Sequence, residues 1–374
     1  MINDRYFKRR ARLRRALKQY TIEAFLVTDP LNVRYLTGFT GEDSYLLIGK
    51  ERELLLTDSR FETALAGEMP DFPALIRRPG QTMAQAIRRG LLSFAPVGRS
   101  YRLGVESDSM TLTLFRRLEN QLENAMLIPI KAEVEKLRQI KDRSEVAAIR
   151  RSIDSAIRGF ESLRRDLAPD WTESDVRNEL EYRMRCEGAE DAGFPTIAAV
   201  DERAALPHAI PTNRKLEGCE LLLIDWGAKR GGYVSDLTRV LILTKKPSAL
   251  LRRVYETVFK AQKAAIRAIR PGVAADKIDL AARRVIERAG FGESFNHGLG
   301  HGLGLVVHDR GSLSIGKKTP LVPGMVLTVE PGIYLPGRLG VRIEDDVLVT
   351  SDGCEVLTRA LEKSFDAMCV ERTF

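Results

Sequence analysis

Two acid-bearing hairpins constrain this chain more than any other feature. The first, Leu221 to Arg239, reads LLLIDWGAKRGGYVSDLTR. An apolar run reaches Asp225, a glycine pair turns the chain, and a second run follows Asp236. Apolar runs bounded by turn residues read as buried strands. With the turn centred between Arg230 and Gly231, Asp225 and Asp236 face each other across the ladder, with Cβ atoms about 5 Å apart. The second hairpin, MVLTVEPGIYLPGRLGVRIEDDVLVT, centres on Gly337 and sets Glu330 opposite Glu344.

Like charges opposed in a buried sheet repel, and desolvation adds to the cost. One such pair can be a turn-flanking Asp beside an Asp that caps or salt-bridges locally. Two such hairpins are hard to explain as structure alone, because structural acids bring basic partners in register. The sole cation beside either pair is Arg342, two residues before Glu344 and therefore on its face.

All four histidines fall between His208 and His308, and three of them, His297, His301 and His308, lie in NHGLGHGLGLVVHD. The i,i+4 spacing of His297 and His301 is that of helical metal ligands. The glycines at 298, 300, 302 and 304 cost a helix about 1 kcal/mol each relative to alanine. An extended segment with close backbone contacts is expected instead, with His297 and His301 on one face. A nucleotide-binding GxGxxG starting at Gly298 would need glycine where Leu303 stands. Four carboxylates and an imidazole form a hard donor set that favours Mn²⁺, Co²⁺ or Fe²⁺ over a thiolate zinc site. Four negative charges suit two divalent ions better than one.

At 374 residues the chain is long for one core, and two domains are expected, 1–132 and 133–374. The N-terminal part has an α/β pattern. It starts with a helix to about Gln19 and the strand AFLVTD, then a hairpin turning at Gly49-Lys50. A helix near Ala84 to Phe94, the strand RLGVES, the helix TLTLFRRLENQL and the strand MLIPI complete it. Asp29, Asn32, Arg34 and Tyr35 are expected in a loop. From Glu133 a continuous helix is expected up to Ala168-Pro169-Asp170. A second helix, capped by Thr172, runs to Cys186. Helices near 248–269 and 275–289 follow, and the remainder is strand-like, which makes the fold class α+β.

Other classes fit less well. The arginine-rich start reads as the solvated face of an amphipathic helix carrying Leu13, Leu17 and Tyr20. The net charge of +8 is modest, and no nucleic-acid partner is expected. No run approaches the roughly 18 apolar residues of a membrane helix, so no membrane partner is expected. No apolar leader segment stands at the start, so secretion is not expected either. Cys186, Cys219, Cys354 and Cys369 are scattered without a CxxC pair, which points to reduced thiols in a cytoplasmic protein.

The order Asp225, Asp236, His301, Glu330, Glu344, in the contexts IDWGA, SDLTR, GHGLG, VEPGIY and VRIEDD, resembles the prolidase and Xaa-Pro aminopeptidase metallopeptidases. ALPHA around His208 and YLTGF in the N-terminal part match as well, so the resemblance covers nearly the whole chain. It implies a C-terminal pita-bread fold, which methionine aminopeptidase shares, with a smaller creatinase-like α/β domain before it. It implies hydrolysis of the bond between an N-terminal residue and proline in dipeptides or short peptides, by a metal-bridging hydroxide. Two divalent ions per subunit are implied, Mn²⁺ or Co²⁺ first, then Zn²⁺ or Fe²⁺. Asp225 would chelate the first, Asp236 and Glu344 would bridge both, and His301 and Glu330 would hold the second. Glu330 would also serve as general base and acid. His208, His297 and His308 would contact substrate, Tyr334 and Arg342 would line and brace the site, and the assembly would be a homodimer. Alternatives are a methionine aminopeptidase-like or creatinase-like hydrolase, or a non-catalytic binding module of the same fold. The chain departs from the family pattern at Asp309 after the third histidine, at Val200-Asp201 where a glycine is common, and in the tail LTRALEKSFDAM. These departures are expected at the cleft rim, where they bear on substrate choice.

Overall fold

The computed structural model describes residues 2–94, 100–122, 124–370 and 374. The chain divides into two compact units, Met1–Arg138 and Gln139–Phe374. The first carries helices α1 (Ile2–Leu17), α2 (Pro30–Thr37), α3 (Glu62–Glu68), α4 (Met83–Leu91), α5 (Leu112–Gln121) and α6 (Glu133–Arg138). Its strands are β1 (Ala24–Val27), β2 (Tyr45–Gly49), β3 (Glu53–Asp58), β4 (Ala74–Arg77), β5 (Tyr101–Glu106) and β6 (Ala125–Ile130). They form a mixed sheet in the order β4-β3-β2-β1-β5-β6, packed on an apolar cluster that includes Leu26, Leu47, Leu56, Ile87 and Leu103.

Two expectations need correction here. Asn32, Arg34 and Tyr35 lie in α2, not in a loop, and Asp29 alone stays in the connection before it. Asp29 caps α2 by accepting from the Leu31 and Asn32 amides, Pro30 opens the helix, and Gly38 ends it in the left-handed region. The helix expected to run unbroken from Glu133 is two helices. Asp142 caps α7 (Arg143–Asp166) in a reciprocal box with Glu145, which restarts the chain after α6. Helix α6 belongs to the first unit, where Tyr20 donates to Glu133 at 2.9 Å and Arg138 donates to Asn32 at 2.8 Å.

The second unit adds α8 (Glu173–Cys186), α9 (Ala249–Ala268) and α10 (Ala275–Arg288). Its strands are β7 (Asp191–Ala192), β8 (Ile197–Val200), β9 (Leu221–Trp226), β10 (Ala228–Arg230), β11 (Tyr233–Val234), β12 (Leu237–Ile242), β13 (Gly300–Gly302) and β14 (Asp309–Leu313). The last five are β15 (Val326–Val329), β16 (Gly332–Leu335), β17 (Leu339–Arg342), β18 (Asp345–Val349) and β19 (Cys354–Val356). The sheets run β12-β9-β8, β11-β10-β7, β14-β13-β15-β18-β19 and β16-β17. Their shared core packs against the helices, with Phe160 stacked on Trp226 at 4.4 Å.

The registers place the acids. In the second hairpin Leu335 pairs with Leu339 and Val329 with Asp345, so Glu330 stands opposite Glu344 as read from the sequence. The first hairpin differs. Its turn is Gly231-Gly232, both at positive φ (63° and 78°), the requirement of a tight two-residue hairpin turn. Arg230 therefore pairs with Tyr233 and Asp225 with Thr238, not with Asp236. A shift of two residues keeps the face, so Asp236 becomes the diagonal neighbour of Asp225. The hairpins are joined at their broken ends, where Thr238 bridges to Glu344 and its carbonyl accepts the Glu344 amide at 3.2 Å.

Candidate metal centre and active site

Five donor side chains converge on one cleft of about 800 Å³. Asp225 comes from β9, Asp236 from the break before β12 and His301 from β13. Glu330 follows β15 and Glu344 precedes β18. Donor atoms of Asp236, His301 and Glu344 lie within 4.8 Å of one another. His301 Nε2 is 3.5 Å from Asp236 Oδ2 and 3.3 Å from Glu330 Oε1.

The glycines of NHGLGHGLG admit that approach. A Cβ on Gly300 would sit 2.0 Å from the Thr328 carbonyl oxygen, and one on Gly302 would sit 2.1 Å from that of Arg310. His301 therefore lies on extended backbone, as the glycine spacing predicts. Its Nδ1 is 3.1 Å from the Gly302 carbonyl and must donate to it, which leaves the Nε2 lone pair aimed at the carboxylates. Burial holds the imidazole pKa down at about 4, so the ring is neutral. A lone pair facing carboxylate oxygens at that range needs a cation or a proton between them.

The acids show the same deficit. Asp236 and Glu344 are buried, and burial followed by repulsion from their neighbours raises both pKa values well above the carboxylate range. Burial also pushes Glu330 up to about 7. Asp225 Oδ1, Glu344 Oε1 and Asp346 Oδ1 are buried without a hydrogen-bond partner among the described residues. Orphaned carboxylate oxygens are costly unless protonated or ligated. The donor set fits divalent cations.

Neighbouring residues hold the donors in place. Arg342 donates from Nη2 to Asp225 Oδ2 at 2.6 Å, from Nε to the Thr238 hydroxyl at 3.0 Å, and from Nη1 to the Tyr334 hydroxyl at 2.8 Å. Thr238 donates to Glu344 Oε2 at 2.6 Å, and Thr328 to Glu330 Oε1 at 3.1 Å. Tyr334 lies 3.0 Å from His297 Nε2, while His297 Nδ1 reaches the Gly298 carbonyl at 2.8 Å. Both His297 nitrogens are therefore taken by the protein. From α10, Arg283 donates to the Phe295 and His297 carbonyls at 2.7 and 2.9 Å while paired with Asp279, which accepts the Leu299 amide. His208 and His308 are exposed and line the cleft, and His308 packs edge-on against His301.

Residues 147–351 match the model of metallopeptidase family M24, and residues 9–140 match the creatinase/prolidase N-terminal domain. The chain belongs to metallopeptidase family M24. It has the family's two-domain architecture, a pita-bread domain preceded by a creatinase-type domain. The uncharacterized peptidase YqhT of Bacillus subtilis is 35% identical over 93% of this chain and 97% of its own. The Xaa-Pro dipeptidase of Bacillus anthracis superposes with a TM-score of 0.89 at 34% identity, covering 96% of this chain and 99% of that one. For the X-Pro aminopeptidase of Thermotoga maritima the TM-score is 0.85 at 35% identity, over 94% and 99%.

Within this M24 cleft the structure brings together every residue read from the sequence: the five donors, His208, His297, His308, Tyr334 and Arg342. Sequence reading missed Thr238, Thr328 and Asp346. Two-residue alternation from Glu330 and Glu344 marks Thr328 and Asp346, whereas Thr238 needed the correct register. Of the stretch that departs from the family pattern after the third histidine, Ser312 lines the cleft. Asp309 and Val200 are buried, and neither they nor Asp201 line the cleft. Asp201 adopts φ 46°, the left-handed conformation glycine takes without strain. Its carboxylate accepts the Glu220 and Leu221 amides at 2.9 and 3.1 Å, tying this turn to the start of β9.

Proposed function

We propose that this chain is a metal-dependent exopeptidase that hydrolyses the bond between an N-terminal residue and proline in dipeptides or short peptides. The observation that carries it is the convergence of Asp225, Asp236, His301, Glu330 and Glu344 around buried, unpartnered carboxylate oxygens. These five would hold two divalent ions, Mn²⁺ or Co²⁺ before Zn²⁺ or Fe²⁺. When bound, such ions supply Lewis acidity, acidifying water and polarising a carbonyl. The complete donor set speaks against a creatinase-like or non-catalytic role.

The remaining chemistry belongs to side chains. Glu330 Oε1 accepts the Thr328 hydroxyl, so Oε2 is the atom that takes a proton from water and passes it to the leaving proline nitrogen. His208 and His308, which line the cleft, would donate to the carbonyl oxygen as negative charge develops on it. Phe194, Pro195, Ile197, Pro207 and Pro211 give the cleft an apolar wall that suits a proline ring. A cytoplasmic homodimer completes the reading, with light scattering as the check on assembly.

The test uses Mn²⁺- and Co²⁺-loaded protein on Ala-Pro, Ala-Pro-Ala and Met-Ala-Ser. Cleavage of the first two is expected, and cleavage of Met-Ala-Ser alone overturns the proline assignment.

A further inference from the structure

Besides the donors Asp225, Asp236, Glu330 and Glu344, the cleft is lined by Arg177 of α8. Among the described residues the lining cations are Arg342 and Arg177, and Arg342 is committed to Asp225, Thr238 and Tyr334. Arg177 differs. Its Nε donates to the Asn178 side chain at 3.1 Å, and among the described residues its guanidinium forms no ion pair. Later arginines of the same helix are all paired, Arg183 with Asp166 and Glu179 and Arg185 with Asp191.

The position of Arg177 follows from how α8 begins. The Ser174 amide and hydroxyl both donate to the Thr212 carbonyl, and the Thr212 amide and hydroxyl return to Glu173. Arg177 lies three residues on from Ser174 and so on the same helix face. That face meets the 207–212 segment, which carries His208, the 77%-exposed Ile210, and Pro211.

A short peptide has an ammonium at one end and a carboxylate at the other. A guanidinium without an acid partner presents a planar fork that matches a carboxylate. We propose that Arg177 binds the C-terminal carboxylate of a short peptide substrate, fixing its direction in the cleft and favouring free-acid di- or tripeptides over longer chains. The assignment rests on the Xaa-Pro peptidase reading and narrows it to a substrate class.

The experiment compares kcat/KM of the Mn²⁺-loaded wild type, Arg177→Met and Arg177→Lys on Ala-Pro, Ala-Pro-Ala and their C-terminal amides, at low and high salt. Unfolding midpoints confirm that the variants fold. The wild type should prefer acid to amide by about tenfold, the scale of one charged hydrogen-bonded contact. Arg177→Met should bring that ratio close to one through KM, Arg177→Lys should restore part of it, and salt should erode it in the wild type. A preference confined to the dipeptide puts the bound carboxylate on the proline; one confined to the tripeptide puts it one residue further out. An Arg177→Met ratio equal to the wild type's overturns the assignment. Equal cleavage of acids and amides by the wild type sinks the Arg177 role while the peptidase reading stands. No cleavage of any Xaa-Pro peptide removes both.

Discussion

The Thr238 hydroxyl donates to Glu344 and accepts from Arg342, so one oxygen sets the orientation of a metal donor and of the guanidinium that braces Asp225. Thr238→Val keeps the volume and removes both bonds. It should weaken Mn²⁺ affinity by about 10–100-fold, the usual cost of losing a residue that orients a ligand. Metal titration by calorimetry reads this directly, and unchanged affinity would show that the packing of Glu344 alone suffices. Glu330→Gln separates holding from proton transfer. The amide can still offer an oxygen to a cation but cannot carry the proton, so turnover should fall by about 10²–10⁴-fold. Metal content by mass spectrometry should meanwhile stay near that of the wild type. Wild-type turnover in a metal-replete Glu330→Gln enzyme would remove Glu330 from the proton path.

At the scale of elements, the two hairpins explain what was legible in the sequence and what was not. In the second, Pro336-Gly337-Arg338 fixes the tip unambiguously, with Gly337 at φ 71°, and the opposed acids follow. In the first, Arg230-Gly231-Gly232 offers two places to turn. The correct one depends on both glycines taking positive φ, a conformational fact that hydrophobic patterning does not carry. The error was even-numbered, so the face of Asp225 and Asp236 survived it while their pairing did not. The resemblance of motifs supplied the donor set without any register. The bracing contacts of Thr238 and Arg283 join positions distant in sequence and became visible only in three dimensions. The turn itself can be tested. A Cβ on Gly231 would meet only Arg151, at an ordinary 3.7 Å, so Gly231→Ala adds conformational strain without a clash. The cost should be about 1–2 kcal/mol, read from the denaturant midpoint. A neutral result would mean that the turn relaxes to another type.

Across the whole molecule, every candidate donor lies in the unit Gln139–Phe374 and none in Met1–Arg138. Metal should therefore act locally. Chelation should raise amide exchange in β9, β12, β15 and β18 while leaving the six-stranded sheet of the first unit unchanged, which exchange mass spectrometry resolves segment by segment. The metal-free protein should also carry a pH signature whose sign is fixed by the acids. Burial raises the folded-state pKa of Glu330 from 4.5 to about 7 and raises those of Asp236 and Glu344 as well. Below about pH 3.8 these carboxyls are protonated in both folded and unfolded chains, and folding bears no charge penalty from them. As pH rises past that value the unfolded chain releases its protons first, so stability falls progressively through pH 7. Metal supplies the missing positive charge and stabilises by mass action, by about 2.7 kcal/mol at a hundredfold excess over Kd. Chelated protein should thus melt lower at pH 8 than at pH 5.5, and the gap between chelated and Mn²⁺-loaded protein should widen with pH. A gap independent of pH would mean that these three acids are already neutralised without metal.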